Sequence, residues 1–311
     1  AAQVDAHRDP ARAAAEYRAA TSLYAMAATT RPPQPLVTAL PHAFYPEDTW
    51  HDDMELGGAE IALAAQRLHR DAGPYLAAAA RYAKAYLASD TGDTLNLYDT
   101  SALGHADLIR AMRLAGNPGG LAVSAGALTA DLRRQLDTGA TRAGRDIFRA
   151  GGVYTDFDVD SHTFGFLSTE ALYRAATGDT SYAAFATAQR DWLLGANAWG
   201  TSMMVGEGST YPHCMQHQVA NLSGSTDGGP PVVRGAVVNG PNDPGQFSGG
   251  LGAYQDGMAP CPPSGADPFA AFTGHGSRYV DDVRAWQTAE PALDMTGAAI
   301  LGAALQESLD R

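Results

Sequence analysis

The chain has 311 residues, 45% of them hydrophobic, and a formal net charge of −13. This charge argues against nucleic acid and anionic membrane surfaces as partners, because both need a basic face. The chain contains no run of about 18 apolar residues that would span a bilayer, and its first ten residues do not show the pattern of a signal peptide. We therefore expect a globular protein with a sizeable core and neutral or cationic ligands.

Helical periodicity dominates, with apolar residues recurring at positions i, i+3 and i+4. The spacing predicts helices over residues 9–28, 51–71, 73–89, 99–115, 121–137, 161–177, 180–195 and 289–309. Alternation that would suit a strand is confined to residues 232–238. The pattern therefore predicts an all-α fold class.

One region departs from this pattern. Residues 196–288 are rich in Gly, Pro, Asn, Ser and Asp. A loop region of this length inside a compact protein is usually functional, so we expect the chemistry to lie on these loops.

An acidic stretch precedes the second predicted helix. The sequence FYPEDTWHDDMELGGAEIAL, residues 44–63, places Asp48, Asp52, Asp53 and Glu55 around Trp50. Such a density of carboxylates suits a hard cation, because Ca²⁺ takes six to eight oxygen ligands. Composition alone favours the simpler interpretation, an acidic first helical turn stabilised by the helix dipole.

The glycine-rich stretch LLGANAWGTSMMVGEGSTYPHCMQHQVANL, residues 193–222, has the composition of a cleft wall, with Tyr211, His213 and His217 as polar lining candidates. Its cysteine, Cys214, and the second cysteine, Cys261, form either a disulfide or two buried thiols. The sequence leaves that choice open.

A single glutamate stands before the last predicted helix, in YVDDVRAWQTAEPALDMTGAA, residues 279–299. Pro291 suits the first helical position, which predicts Glu290 at or next to the N-cap. Taken alone, this glutamate is better explained as a helix cap than as a catalytic group.

Together these stretches resemble glycoside hydrolase family 9, of actinobacterial type. The C-terminal pattern of that family is met by Tyr279, Asp281, Trp286, Glu290 and Ala292. LLGANAWGTSMMVGEGSTYP is similar to the glycine loop of the family, and DTWHDDMELGGAEI is similar to one of its helix starts. The resemblance extends over almost the whole chain from about residue 9.

The resemblance implies a single domain over residues 1–311, the C-terminal part of an (α/α)6 barrel whose upstream helices are missing. It also implies inverting hydrolysis of β-1,4-glucosidic bonds, in which an acid and a base stand roughly 6.5–9.5 Å apart. Glu290 matches the acid. The base belongs to an upstream Asp-x-Gly-Asp motif, and we interpret DTGD at 90–93 as an unrelated match. The chain alone is therefore not expected to hydrolyse glycosidic bonds efficiently with inversion.

Ligands are implied in the same way. The resemblance implies a structural Ca²⁺ and no organic cofactor, with metal ligands Asp48, Thr49, Asp52, Asp53 and Asp99. It implies a β-glucan substrate, the missing N-terminal part of the domain as a partner, and an extracellular protein. The substrate-binding candidates are Trp286, His217, Asp281, Tyr211, Gln218 and Trp50, with Tyr45 as a further stacking residue.

Two questions stay open at this stage. The substrate is alternatively xyloglucan, mixed-linkage glucan or an amino-sugar polymer, and a carbohydrate-binding barrel without activity is the alternative from another class. A helix N-terminus would lower the pKa of Glu290, whereas a general acid needs a raised one. We hypothesise that Asp281, Asp282 and Asp294 offset the helix dipole.

Overall fold

The structure is a computed structural model that describes residues 1–27, 32, 36, 49–229, 233–255, 257–273 and 276–309. Each of the eight predicted helices is present. The helices are α1 (Ala2–Asp5), α2 (Pro10–Ala27), α3 (His51–Arg67), α4 (Gly73–Ser89), α5 (Ser101–Leu114), α6 (Ala125–Ala143), α7 (Val159–Thr177), α8 (Ala183–Leu193), α9 (Gln218–Leu222) and α10 (Leu293–Leu309). None of the helices in these ranges is long and apolar enough to cross a bilayer.

The described ranges contain no extended strand. Residues 233–238, the described part of the segment predicted to alternate, form only isolated bridges, in which Val237 pairs with Met204 and Val238 pairs with Pro291. A third bridge joins Asn242 to Arg278. The predicted strand is therefore wrong, and single bridges connect otherwise irregular loops.

Contacts divide the chain into two compact units. The first unit comprises Ala1–Gln135 and Leu172–Asp179, and the second comprises Leu136–Ala171 and Thr180–Arg311. The prediction of a single domain over 1–311 stays a prediction, and the two units are described separately.

The first unit is built on α3, which packs against α4 and α5. Small residues bring the helices close together: a Cβ at Gly58 would lie 3.1 Å from the Cβ of Ala79. The buried faces supply apolar side chains such as Ile61, Leu76 and Leu108. Full burial of such a side chain contributes about 1.5–3 kcal/mol.

The second unit joins helices to the long loop region. Gly302 of α10 packs on α7 beside Leu167, and Phe166 of α7 makes an edge-on contact with Phe185 of α8 at 5.3 Å between ring centroids. The loops have a small apolar cluster of their own, which consists of Phe247, Leu251, Val280, Ala285 and Ala289. Ala289, the last residue of that cluster, directly precedes Glu290. The cluster therefore anchors the segment that carries Glu290.

Candidate active site

Glu290 lies in the irregular segment that precedes α10. The helix begins at Leu293, so Glu290 is not at the N-cap and Pro291 is not the first helical residue. The predicted cap is wrong because the 289–291 segment is held by loop contacts instead: Gln216 donates its backbone N–H to Ala289 at 2.9 Å, and Pro291 pairs with Val238. The end of a helix therefore does not set the position of Glu290.

The electrostatic surroundings of Glu290 favour its protonated form. Burial raises the pKa of Glu290 above its usual value, and the charge of Asp294 raises it further. The other two aspartates of the hypothesis are engaged elsewhere, since Asp282 pairs with Arg284 at 2.8 Å and Asp281 accepts backbone hydrogen bonds. The hypothesis of an acidic environment therefore holds for Asp294 alone.

Trp286 presents an aromatic surface to solvent four residues before Glu290. Its side chain is 39% exposed, which is unusual for tryptophan. Its ring lies 6.3 Å from that of Phe157, at an angle of 38°. The two rings form an exposed aromatic pair, and sequence reasoning missed Phe157 because it is distant along the chain.

The remaining loop candidates make local contacts. Tyr211 stacks on His213 with 4.4 Å between ring centroids. His217 accepts a hydrogen bond from the Ala220 N–H through Nδ1 at 3.1 Å, which caps α9. Gln218 donates from Nε2 to Gln255 Oε1 at 2.9 Å.

Asp281 braces the turn that carries the first cysteine. Its buried carboxylate accepts hydrogen bonds from the backbone N–H groups of His213 and Cys214, both at 2.8 Å. Cys214 is disulfide-bonded to Cys261, which settles the alternative left open by the sequence. The carbonyl of Cys261 accepts a hydrogen bond from Val283 at 2.9 Å, so three loop segments are tied together at this point.

A cavity of about 430 Å³ opens beside this segment of the second unit. Its walls are largely apolar, with one imidazole and one guanidinium. They include His217, Val233, Arg234, Pro291, Leu293 and Ile300. Pro291, which directly follows Glu290 in the chain, lines this cavity. The cavity has the size of a small-molecule pocket.

Sequence reasoning missed two buried aspartates at the start of α7. Asp160 is fully buried, and its two carboxyl oxygens have no hydrogen-bond partner among the described residues. Asp158 has a positive φ of 54° and accepts a hydrogen bond from Ser161. Burial raises the pKa of Asp158 to about 6, and burial together with Asp158 holds the pKa of Asp160 well above its usual value. The only signal in the sequence is the run DFDVDSH, residues 156–162. Its acidic residues are equally typical of the first turn of a helix.

The predicted metal ligands lie in the first unit, except for Asp48, which with Tyr45 falls outside the described residues. Asp52 accepts the Thr100 N–H at 2.7 Å through one oxygen, while its other oxygen is buried without a partner among the described residues. Burial raises the pKa of Asp52, Asp53 and Asp99, and each is raised further by another of the three. The described residues contain no group of three or more His, Cys, Asp or Glu side chains with metal-site geometry.

Two other predicted residues of the first unit have local partners. Thr49 donates its hydroxyl to Asp90 at 3.0 Å, and His51 contacts the same carboxylate. Trp50 lies against His51 with 4.3 Å between ring centroids. Asp90, the first residue of DTGD, is thus engaged by the start of α3.

A buried ionic network crosses the first unit. His105 Nδ1 lies 2.7 Å from Glu55 Oε1, and its Nε2 lies 3.5 Å from Asp131 Oδ2. Asp131 is also paired with Arg134 at 2.6 Å. Burial by itself would lower the pKa of His105, but the two carboxylates outweigh it and raise the pKa to about 9. His105 is therefore charged at neutral pH.

Comparison with known proteins shows that this helical scaffold with its loop site is a glycoside hydrolase, and it identifies the family. Residues 1–304 match the Glycosyl hydrolase family 9, and the chain belongs to this family. Endoglucanase 2 of Oryza sativa subsp. japonica is 31% identical over 100 residues, which cover 26% of this chain and 16% of the rice protein.

Solved structures show the same fold. A single mutant of a thermostable endoglucanase from Alicyclobacillus acidocaldarius matches with a TM-score of 0.67 and 21% identity, over 98% of this chain and 53% of the other. A metagenome-derived family 9 endoglucanase matches with a TM-score of 0.69 and 18% identity, over 98% and 50%. These matches confirm the predicted all-α class of (α/α)6 type. The chain spans about half the length of these solved relatives.

Proposed function

We propose that the protein carrying this chain is an inverting endo-β-1,4-glucanase that acts on cellulose or a related β-glucan. Family membership supports glycoside hydrolysis. The observation that carries the proposal is Glu290, a half-buried carboxyl whose pKa is raised by burial and by Asp294. A carboxyl whose pKa is raised has the property that a general acid needs.

In this mechanism Glu290 protonates the leaving oxygen of the glycosidic bond. The bond between the anomeric carbon and that oxygen breaks, while a water molecule attacks the anomeric carbon from the opposite face. A carboxylate base takes the proton of that water, and we propose that an upstream segment supplies this base. The exposed ring of Trp286 stacks on the sugar, and His217, Gln218, Tyr211, Asp281 and Trp50 remain proposed substrate contacts.

The acid role is tested with Glu290→Gln in the intact protein. Loss of the proton donor lowers kcat on cello-oligosaccharides by about 10²–10⁴-fold. Activity on a glucoside with a good leaving group, such as dinitrophenolate, falls much less because that group departs unprotonated. Glu307→Gln, the same change at an exposed position on α10, is the matched control.

Wild-type turnover of cello-oligosaccharides by the Glu290→Gln protein would remove Glu290 as the acid. Release of reducing sugar from carboxymethyl-cellulose separates hydrolysis from mere binding. The proposed upstream base is tested by mass spectrometry alongside this assay. Full activity from a purified chain of 32.5 kDa would contradict it.

We also propose that the first unit holds a structural Ca²⁺ at Asp52, Asp53 and Asp99, with Asp48 and the Thr49 carbonyl. The mutual repulsion of the three described carboxyls supports a cation at this place, as does the Asp52 oxygen that has no partner in the described part of the chain. Oxygen donors of this kind suit Ca²⁺. The ion would fix the loops before α3 and α5 and take no part in bond cleavage.

Calcium at 100 times its dissociation constant is expected to stabilise the protein by about 2.7 kcal/mol. Thermal unfolding in EDTA and in millimolar CaCl₂ measures this shift. Asp52→Asn should abolish it, and the exposed Asp191→Asn should not. An unchanged melting temperature in the wild type would refute the site.

We further propose that the protein works outside the cell. The support is the disulfide between Cys214 and Cys261, because such bonds persist in oxidising compartments. Fractionation of the producing cells tests this location. Recovery of the protein in the cytosol with free thiols would contradict it.

A further inference from the structure

Asn239 is a fully buried amide on the loop that faces the Glu290 segment. Its neighbours on both sides are attached to that segment. Val238 pairs with Pro291, and Gly240 donates its N–H to the Thr288 carbonyl at 3.2 Å. Asn239 therefore lies at the centre of a short region in which two loops run side by side.

Three hydrogen bonds connect Asn239 with the residues proposed to act on the substrate. Its backbone N–H donates to the Glu290 carbonyl at 3.1 Å, and its side-chain Oδ1 accepts the Glu290 N–H at 3.0 Å. Its Nδ2 donates to the Trp286 carbonyl at 2.8 Å. The acceptor end of one amide thus holds the backbone of the acid, and the donor end holds the backbone of the aromatic residue.

This amide is itself supported from behind by α7. The Asp160 N–H donates to the Asn239 carbonyl at 3.4 Å. Gly240 has a φ of +81°, and a Cβ there would collide with the Asp160 carboxyl. Only glycine permits both this backbone conformation and this approach. The loop is therefore pressed against the first turn of a helix, which restricts movement of Asn239.

We propose that Asn239 is a positioning residue that sets the relative placement of the Glu290 carboxyl and the Trp286 ring. The inference rests on the proposed function, because it assigns Asn239 a task in the same site. Because its side chain is fully buried, we assign Asn239 no contact with substrate. It fixes the distance between a proton donor and a sugar platform that lie four residues apart on an irregular segment with no helix or strand to hold them.

Asn242 offers a matched control. It is also buried, and its Nδ2 donates to a carbonyl of the same segment, that of Gln287 at 3.0 Å. It makes no hydrogen bond to Glu290 or Trp286 in the described structure. Asn239→Ala and Asn242→Ala therefore remove comparable buried bonds and should lower the melting temperature similarly.

Only Asn239→Ala should impair the chemistry. Misplacement of the acid is expected to lower kcat about 10–100-fold with KM changed much less. Asn242→Ala should keep kcat within about threefold of the wild type, because a purely structural loss leaves the reacting groups in place. Equal losses of kcat in the two variants would overturn the proposal.

Asn239→Asp supplies a readout that lost stability alone does not produce. The ionised Asp places an acceptor oxygen next to the Trp286 carbonyl oxygen, which also accepts, so the two repel each other. The protonated Asp can donate its O–H to that carbonyl, as the amide of Asn239 donates its N–H. Asp160 and Glu290 are the titratable groups that face this position, with Asp294 acting on Glu290. The ratio of kcat to that of the wild type should therefore rise as pH falls from 8 to 5. For Asn239→Ala the ratio should stay flat, and a flat ratio for Asn239→Asp contradicts the inference.

The carboxyl ¹³C titration of Glu290 separates this inference from the proposed function. A new carboxylate at position 239 should raise the pKa of Glu290, while Asn242→Asp should leave it within error. If the wild type releases no sugar from any β-glucan, the proposed function is wrong. The titration then still measures whether a charge at position 239 changes the pKa of Glu290. If sugar is released but Asn239→Asp leaves the pKa of Glu290 unchanged, the positioning role is wrong and the proposed function stands.

Discussion

Two buried sites, one in each unit, differ in how their charge is compensated. In the first unit, the imidazole of His105 lies between Glu55 and Asp131, and Arg134 completes the network. In the second unit, Asp160 is equally buried, yet its carboxyl oxygens have no hydrogen-bond partner in the described ranges. One network is electrically compensated and the other is not.

A compensated network stabilises the geometry around it, and removing one member leaves an unpaired ion. An uncompensated carboxyl costs stability, and such perturbed groups cluster at functional sites. Asp160 packs against the loop that faces Glu290, so this uncompensated carboxyl lies beside the proposed chemistry.

The largest expected effect comes from breaking the compensated network. His105→Ala leaves two buried carboxylates facing each other, and should lower the free energy of unfolding by about 3–5 kcal/mol. Urea titration at pH 6 measures it. His7→Gln, at an exposed position of the same unit, serves as control. A loss below that of an ordinary surface substitution would show that the network contributes nothing.

The second prediction concerns pH. The pKa of His105 is raised to about 9 in the folded state, against about 6.5 when unfolded. Its contribution to stability is therefore fully present below pH 6.5 and is lost as pH rises through 9. The stability gap between the wild type and His105→Gln should narrow by about 3 kcal/mol across this window. A gap that is constant from pH 6 to 9.5 would contradict the charged imidazole.

The smallest effect, with the opposite sign, is expected in the second unit. Because the pKa of Asp160 is raised in the folded state, its contribution declines as pH rises above the unfolded value near 3.9. Asn does not ionise, so the stability of Asp160→Asn relative to the wild type should increase as pH rises from 4 to 7, as urea titration at several pH values measures. Asp191→Asn is the exposed control. A stability difference that does not change with pH would show that the pKa of Asp160 is not raised in the folded state.

Local patterns were sufficient to predict the helices and the family, because periodicity and motif spacing are properties of neighbouring residues. The prediction for Glu290 was wrong in one respect: Pro291 marks a bridge to Val238 instead of a helix start. The deciding contact joins residues more than fifty positions apart, and no local signal announces it.

The same limit explains what was missed. His105 meets Glu55 across two helices, and Asn239 meets Glu290 across the loop region. The local sequence around a buried histidine or asparagine does not reveal whether its side chain has a partner elsewhere in the chain. The disulfide was left open for the same reason, since two cysteines 47 residues apart pair only if the intervening loop returns.

The brace at Asp281 has a consequence for how this loop face moves. The amide hydrogens of His213 and Cys214 point into a buried carboxylate, while the disulfide holds the same turn from its other side. Their exchange with deuterium then requires the turn to open against both restraints, so these loop amides should be protected as slowly exchanging helix amides are. At this turn the glycine-rich stretch is therefore expected to be a rigid part of the loop face, and its slow amide exchange would show it.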